Sequence, residues 1–174
     1  MMLKKRTVLY EKVSATQKML AKLNQENSII PQIIFDREFR VVGIKRTVKP
    51  GDNSIKNLWD DFNLRKSEIE SVARPDILLG LCEYMPDITD EDEFAYITCI
   101  EVNGFNNIPE GMVTKNIPHS KYAVFTHRGP IEELKSTYDF IYGYSGYELA
   151  ELDTIELYNT NNASFEFSIY IPIK

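Results

Sequence analysis

Residues 39–102 and 121–172 read as two copies of one unit, each running strand, amphipathic helix, strand, strand. The first copy opens on Arg40-Val41-Val42-Gly43-Ile44-Lys45-Arg46 and the second on Tyr122-Ala123-Val124-Phe125-Thr126-His127-Arg128. Each continues into a helix with an aromatic on its apolar face, Trp59 in one and Tyr138 in the other. Each then has a short strand ending in tyrosine, Tyr84 or Tyr158, and closes on an alternating strand, Phe94 to Val102 or Phe165 to Ile173. Few positions are identical, so the duplication rests on the order of patterns. Two such units side by side predict an α+β fold of tandem βαββ repeats. Its antiparallel sheet carries the helices on one face, with a groove at the pseudo-two-fold seam where small ligands bind.

Length and composition narrow the class. A chain of 174 residues, 43% hydrophobic and 26% charged, is long enough for one domain with a sizeable core and has the balance of a soluble globular protein. No apolar run approaches the roughly 18–20 residues that span a bilayer, and the N-terminus lacks the apolar stretch of a signal peptide. The expected location is the cytoplasm, with no membrane partner. Cys82 and Cys99 sit inside strand patterns and are expected as buried thiols rather than a disulfide. Asn162-Ala163-Ser164 fits a glycosylation sequon but reads more simply as a turn.

Charge is unevenly distributed. Residues 1–30 hold six basic and two acidic side chains, whereas the remaining 144 residues hold 14 basic and 24 acidic ones. An acidic body repels phosphate backbones, which makes the chain a poor nucleic-acid binder on its own.

The apolar pattern gives the remaining elements. Residues 3–27 predict a helix. Leu9, Val13, Thr16, Leu20, Leu23 and Asn27 fall at alternating spacings of four and three, which suits either a dimer-forming helix or one docked on the domain. Residues 1–30 are therefore separated from a domain over 31–174. Ile33-Ile34-Phe35 is a β-rich run and Phe39 to Val48 a strand. After the turn Pro50-Gly51-Asp52-Asn53, a helix presents Ile55, Leu58, Trp59 and Phe62 on one face, with Asp52, Asn53 or Ser54 as its cap. Ile77 to Tyr84 and Phe94 to Val102 pair across an acidic loop, Asp87 to Glu93. That loop lacks the glycine and spacing of a calcium-binding EF-hand. Phe105 to Pro118 reads as a connector. In the second copy Ile131, Leu134, Tyr138, Ile141 and Tyr142 form the apolar face of a helix that Gly143 ends. Pro172 suits an edge or terminal strand position.

Most catalytic signatures are missing from the pattern. His119 and His127 are the only histidines, no Cys-x-x-Cys or phosphate-binding glycine loop occurs, and no metal or cofactor is expected. Thr154, Glu156 and Tyr158 share one face of a short strand, with Ile155 and Leu157 on the other. If the Ile155/Leu157 face packs on helices, Glu156 looks outward. If the strand lines the groove, Glu156 enters an aromatic pocket, where a buried carboxylate needs a cation, a donor or a proton. The matching place in the first copy is Cys82. The repeats also hold Tyr84, Tyr96, Tyr122, Tyr138, Tyr142, Tyr158 and Tyr170, whose flat faces and hydroxyls suit aromatic or cationic lipophilic ligands. Three or four of them are expected to touch a pocket.

A longer set of residues carries a resemblance. Pro109-x-Gly111, Ile117-Pro118-x-x-x-Tyr122-Ala123-Val124-Phe125-x-His127-x-Gly129-Pro130, Tyr138, Ser145-Gly146-Tyr147, Glu156-x-Tyr158 and Ile169-x-Ile171-Pro172-Ile173 resemble the GyrI-like effector-binding domain over roughly residues 33–174. The resemblance implies a duplicated βαββ fold and a groove glutamate at Glu156, with Trp59, Tyr122, Tyr138 and Tyr170 around a lipophilic cation. Its regulator members carry a helix-turn-helix domain before a linker helix. Here only a linker-like helix is expected, so direct, specific DNA binding by this chain is not. Three functional readings follow. The first is a binding module with Glu156 selecting a cation. The second is a hydrolase of strained or electrophilic small molecules with Glu156 as general base. The third is a protein-interaction module like the gyrase-inhibitory relatives.

Overall fold

Alternating apolar residues build eight antiparallel strands among the described residues: β1 (Gln32–Asp36), β2 (Phe39–Val48), β3 (Ile77–Cys82), β4 (Phe94–Val102), β5 (Val113–Ile117), β6 (Ser120–Arg128), β7 (Thr154–Asn159) and β8 (Glu166–Ile173). The structure is a computed structural model describing residues 30–86, 89, 92–162 and 166–174. The expected helix and dimer contact over residues 3–27 lie outside the described residues. Parts of the acidic loop and of the sequon do so as well.

The sheet order is β1-β6-β8-β7-β3-β4-β2-β5. Outward from the central β7–β3 seam it reads as the middle, last and first strands of each repeat, so the two βαββ units meet about an approximate two-fold axis. At the seam Gly80 pairs with Glu156, Leu81 with Ile155 and Cys82 with Thr154. The edge strands are exchanged. β1, which precedes the first repeat, pairs with β6 of the second, and β5, which precedes the second, pairs with β2 of the first. Each repeat therefore needs the other's leading segment to complete its sheet.

The connector expected over Phe105 to Pro118 contains β5. Val113-Thr114-Lys115-Asn116-Ile117 alternates half-buried and exposed positions, as a one-sided edge strand does. The glycine and prolines around it bound the strand rather than exclude it. Pro172 lies at the end of β8, which is flanked by β6 and β7; its position is terminal, not at an edge.

Both helices lie on the Glu156 face. Helix α1 (Ser54–Arg65) buries Leu58 and Phe62 against Val42, Ile44, Leu78, Tyr96 and Ile100. Truncating Leu58 to alanine there costs about 2–5 kcal/mol. Asn53 stands at the N-cap without capping; instead Asp52 Oδ1 accepts the Ser54 N–H at 2.7 Å.

Helix α2 (Leu134–Gly143) follows a 3-10 turn at Ile131–Glu133 and buries only Ile141. Ile131 and Tyr142, expected on its apolar face, are 60% and 59% exposed. The 3-10 turn rotates Ile131 out of the helical phase. The opposite sheet face curls around a second core of Val41, Leu79, Leu81, Ile97, Cys99, Ile117, Tyr122 and Ile155. Both cysteines are free thiols, Cys99 buried and Cys82 half-buried.

Candidate functional site

Glu156 is 4% exposed and points to the helix side of the sheet, on the face opposite Ile155. Its carboxylate accepts three phenolic hydrogen bonds. Tyr96 donates to Oε2 at 2.5 Å, Tyr158 to Oε2 at 2.9 Å and Tyr138 to Oε1 at 2.7 Å. Among the described residues no lysine or arginine pairs with it. A hydrogen bond to a charged group contributes about 1.5–3 kcal/mol. Three of them offset the several kcal/mol that burying an unpaired carboxylate costs.

Each phenol comes from a different element. Tyr158 sits two residues along β7 from Glu156, on the same face. Tyr138 comes from α2. Tyr96 comes from β4 and must cross β3 to reach β7; it does so over Gly80. A Cβ at Gly80 would lie inside the van der Waals shell of the Tyr96 hydroxyl and 2.9 Å from Glu156 Oε2. A glycine inside an apolar strand is the mark of such a close approach, and Ile77-Leu78-Leu79-Gly80-Leu81-Cys82 carried that signal in the sequence.

Burial, reinforced by the Glu156 charge, holds the Tyr96, Tyr138 and Tyr158 phenols well above the ordinary tyrosine range. The same two causes raise the Cys82 thiol well above its usual value, while the nearby Tyr138 hydroxyl opposes them. The site is thus built from neutral groups around one acid. Its walls are aromatic. Trp59 meets Tyr158 edge-on at 5.0 Å, Phe167 stacks on Tyr158 at 4.5 Å, and Tyr142 stacks on Tyr138 at 5.9 Å. The Thr98 hydroxyl, on the strand position paired with Gly80, is fully buried with no partner among the described residues.

Of the residues singled out from the sequence, the structure brings Glu156, Tyr96, Tyr138, Tyr158 and Trp59 together. Tyr122 and Tyr170 are elsewhere. They meet at 5.8 Å in the core on the other sheet face, where burial pushes the Tyr122 phenol up to about 12. Tyr170 lines a cleft there of about 20 Å³ with Arg37, Arg74 and Glu101, room for about one water. Tyr84 lies beyond the end of β3, 44% exposed, its N–H donating to Asp153. Gly80, Phe167 and Thr98 were not singled out from the sequence. Phe167 announced itself only as one more apolar residue in an alternating strand.

The family of GyrI-like small-molecule-binding domains matches residues 31–174. This chain belongs to that family. The GyrI-like domain therefore accounts for every element described above, and its function is small-molecule binding. The chain is 31% identical over 145 residues to the transcriptional regulator BrlR of Pseudomonas aeruginosa, a match covering 78% of this chain and 52% of the regulator. It thus spans about half the length of that relative.

The GyrI-like fold is also seen in two solved structures. SAV2435 bound to tetraphenylphosphonium has a TM-score of 0.64 at 19% identity, covering 83% of this chain and 93% of SAV2435. The EcmrR C-terminal domain has a TM-score of 0.63 at 17% identity, covering 84% and 99%. No helix among the described residues is long and apolar enough to cross a membrane. No cluster of three or more His, Cys, Asp or Glu side chains suited to a metal occurs among them.

Proposed function

We propose that this GyrI-like domain senses lipophilic cations, with Glu156 supplying the charge and Trp59, Tyr96, Tyr138, Tyr158 and Phe167 the aromatic walls. The observation that carries this reading is a buried carboxylate whose partners are all neutral phenols. Its charge is compensated by hydrogen bonds but not neutralised, so a cation that reaches it adds a Coulomb attraction that no side chain already supplies. At an effective dielectric near 20 a pair at about 4 Å is worth roughly 4 kcal/mol before desolvation is subtracted. A cation over an aromatic face adds about 0.5–2 kcal/mol. A lipophilic cation loses less hydration on entering than a small hydrated one, which favours delocalised charge on an aromatic or aliphatic frame.

The related regulators support a further step: the domain serves as the effector module of a bacterial transcription regulator or of a stand-alone relative, in the cytoplasm. The hydrolase reading needs a water held on Glu156 as general base, and three of the carboxylate's roughly four acceptor positions are already taken by phenols.

The test is binding of tetraphenylphosphonium to the parent chain and to Glu156→Gln by calorimetry. Affinity should fall at least tenfold in the variant, because a neutral amide keeps the shape and removes the Coulomb attraction. Equal binding by both, or none by the parent chain, defeats the cation reading.

A further inference from the structure

His127 is buried to 1% exposure and takes no part in the contacts to Glu156. It lies on β6, on the Glu156 face, opposite Phe167 of β8. Its Nε2 is 3.3 Å from the Pro130 carbonyl oxygen and its Nδ1 is 2.8 Å from Thr137 Oγ1. A carbonyl only accepts, so the Nε2 proton donates to Pro130. In the neutral ring Nδ1 is then bare and accepts from the Thr137 hydroxyl. One imidazole thereby ties down two points of a single segment. Pro130 follows Gly129, whose φ of 120° makes the turn into the helix. Thr137 is the residue immediately before Tyr138.

No side chain between those points is fully buried. The 3-10 turn Ile131–Glu133 buries no side chain, and α2 buries only Ile141, past Tyr138. The same imidazole rests on Phe167 at 5.1 Å between ring centroids, and Phe167 stacks on Tyr158. His127 thus stands one residue removed from two of the three donors to Glu156, through hydrogen bonds on one side and ring contact on the other.

We infer that His127 is the positioning residue of the ligand site, its imidazole holding α2 so that the Tyr138 hydroxyl meets Glu156. This rests on the reading of Glu156 as the ligand carboxylate, but its principal readout needs no ligand. An imidazole suits the task because its two ring nitrogens lie on separate edges of one rigid frame, so one meets the carbonyl while the other meets the hydroxyl. A buried apolar filler of similar volume would keep the packing on Phe167 and release the helix.

The test uses the full chain. Proton–nitrogen correlation NMR of the imidazole should show the Nε2-protonated tautomer. Exchange of the Tyr138 phenolic proton with solvent should accelerate about fivefold in Thr137→Val, the loss of one neutral hydrogen bond, and by more in His127→Leu, which loses two. His127→Gln keeps a donor and an acceptor and should restore part of the protection, whereas a merely space-filling role would rank leucine at least as high as glutamine. An Nδ1-protonated tautomer, unchanged Tyr138 exchange in Thr137→Val, or glutamine no better than leucine would each overturn the assignment. Failure of the parent chain to bind tetraphenylphosphonium, with the exchange results as expected, removes the cation reading and leaves the role of His127 in place.

Discussion

Gly80 sits directly across the β3–β7 ladder from Glu156, and its missing side chain is the gap through which Tyr96 reaches the carboxylate. The pair places the acid at the seam between repeats and opens the route for the donor that comes from the farther strand. It also makes the site sensitive to a single methyl group.

Gly80→Ala should therefore displace the Tyr96 phenol. Overpacking costs about 1–3 kcal/mol, and the lost charged hydrogen bond adds a similar amount. The expected loss, read as a shift of the urea midpoint at constant slope, is about 2–5 kcal/mol. A loss below about 0.5 kcal/mol would show that Tyr96 has another way to the carboxylate.

The three phenols differ in anchorage, and their removal should show it. Tyr96→Phe leaves a fully buried strand residue in place and simply deletes a donor, costing about 1.5–3 kcal/mol. Tyr138→Phe deletes a donor on a helix with one buried residue. It should cost less, because α2 can shift and admit water to the carboxylate. Denaturation of the two variants side by side gives the ranking, and equal losses would refute the difference in anchorage.

Alkaline stability follows from the phenols. In the folded chain Tyr96, Tyr138 and Tyr158 lose their protons only well above the ordinary tyrosine range. In the unfolded chain they titrate near pH 10. Between those limits the unfolded state binds fewer protons than the folded one, so stability falls as pH rises above about 10 and is unaffected by these groups below it. Ultraviolet titration should show these three tyrosines ionising together with unfolding. Their ionisation near pH 10 in a chain that remains folded would contradict the buried cluster.

The two helices should also differ in local stability. Helix α1 buries Leu58 and Phe62, whereas α2 buries Ile141 alone and docks otherwise through polar and ring contacts, among them the His127–Thr137 and Tyr138–Glu156 bonds and Phe140 against Phe125. Hydrogen exchange of backbone amides in α2 should be faster than in α1. Equal protection would mean that α2 is held by more than these bonds.

How much of this was legible beforehand depended on the distance over which each interaction acts. The strand Phe39–Val48 and the helix around Leu58 and Phe62 follow from periodicity along the chain, and both repeats could be traced from it. Glu156 and Tyr158 could be placed on one face because a strand alternates strictly. Beyond that, the tyrosines looked alike: Tyr122 and Tyr138 both suited a pocket by composition, and only the sheet face each occupies separates them. Gly80 carried a signal, a glycine in an apolar strand, whose meaning needed Tyr96 on the neighbouring strand and Glu156 on the other side.

By itself the sequence determined the order of elements within each repeat, the duplication and the acid at the centre of the second repeat, since all three are written in local spacing and side-chain type. The tertiary structure decided that the edge strands exchange between repeats and that the helices cover the Glu156 face. It also decided that three phenols from β4, β7 and α2 converge on one carboxylate. Those outcomes depend on which sheet face curls inward. That is set by the summed packing of residues far apart in the chain, which no local pattern records.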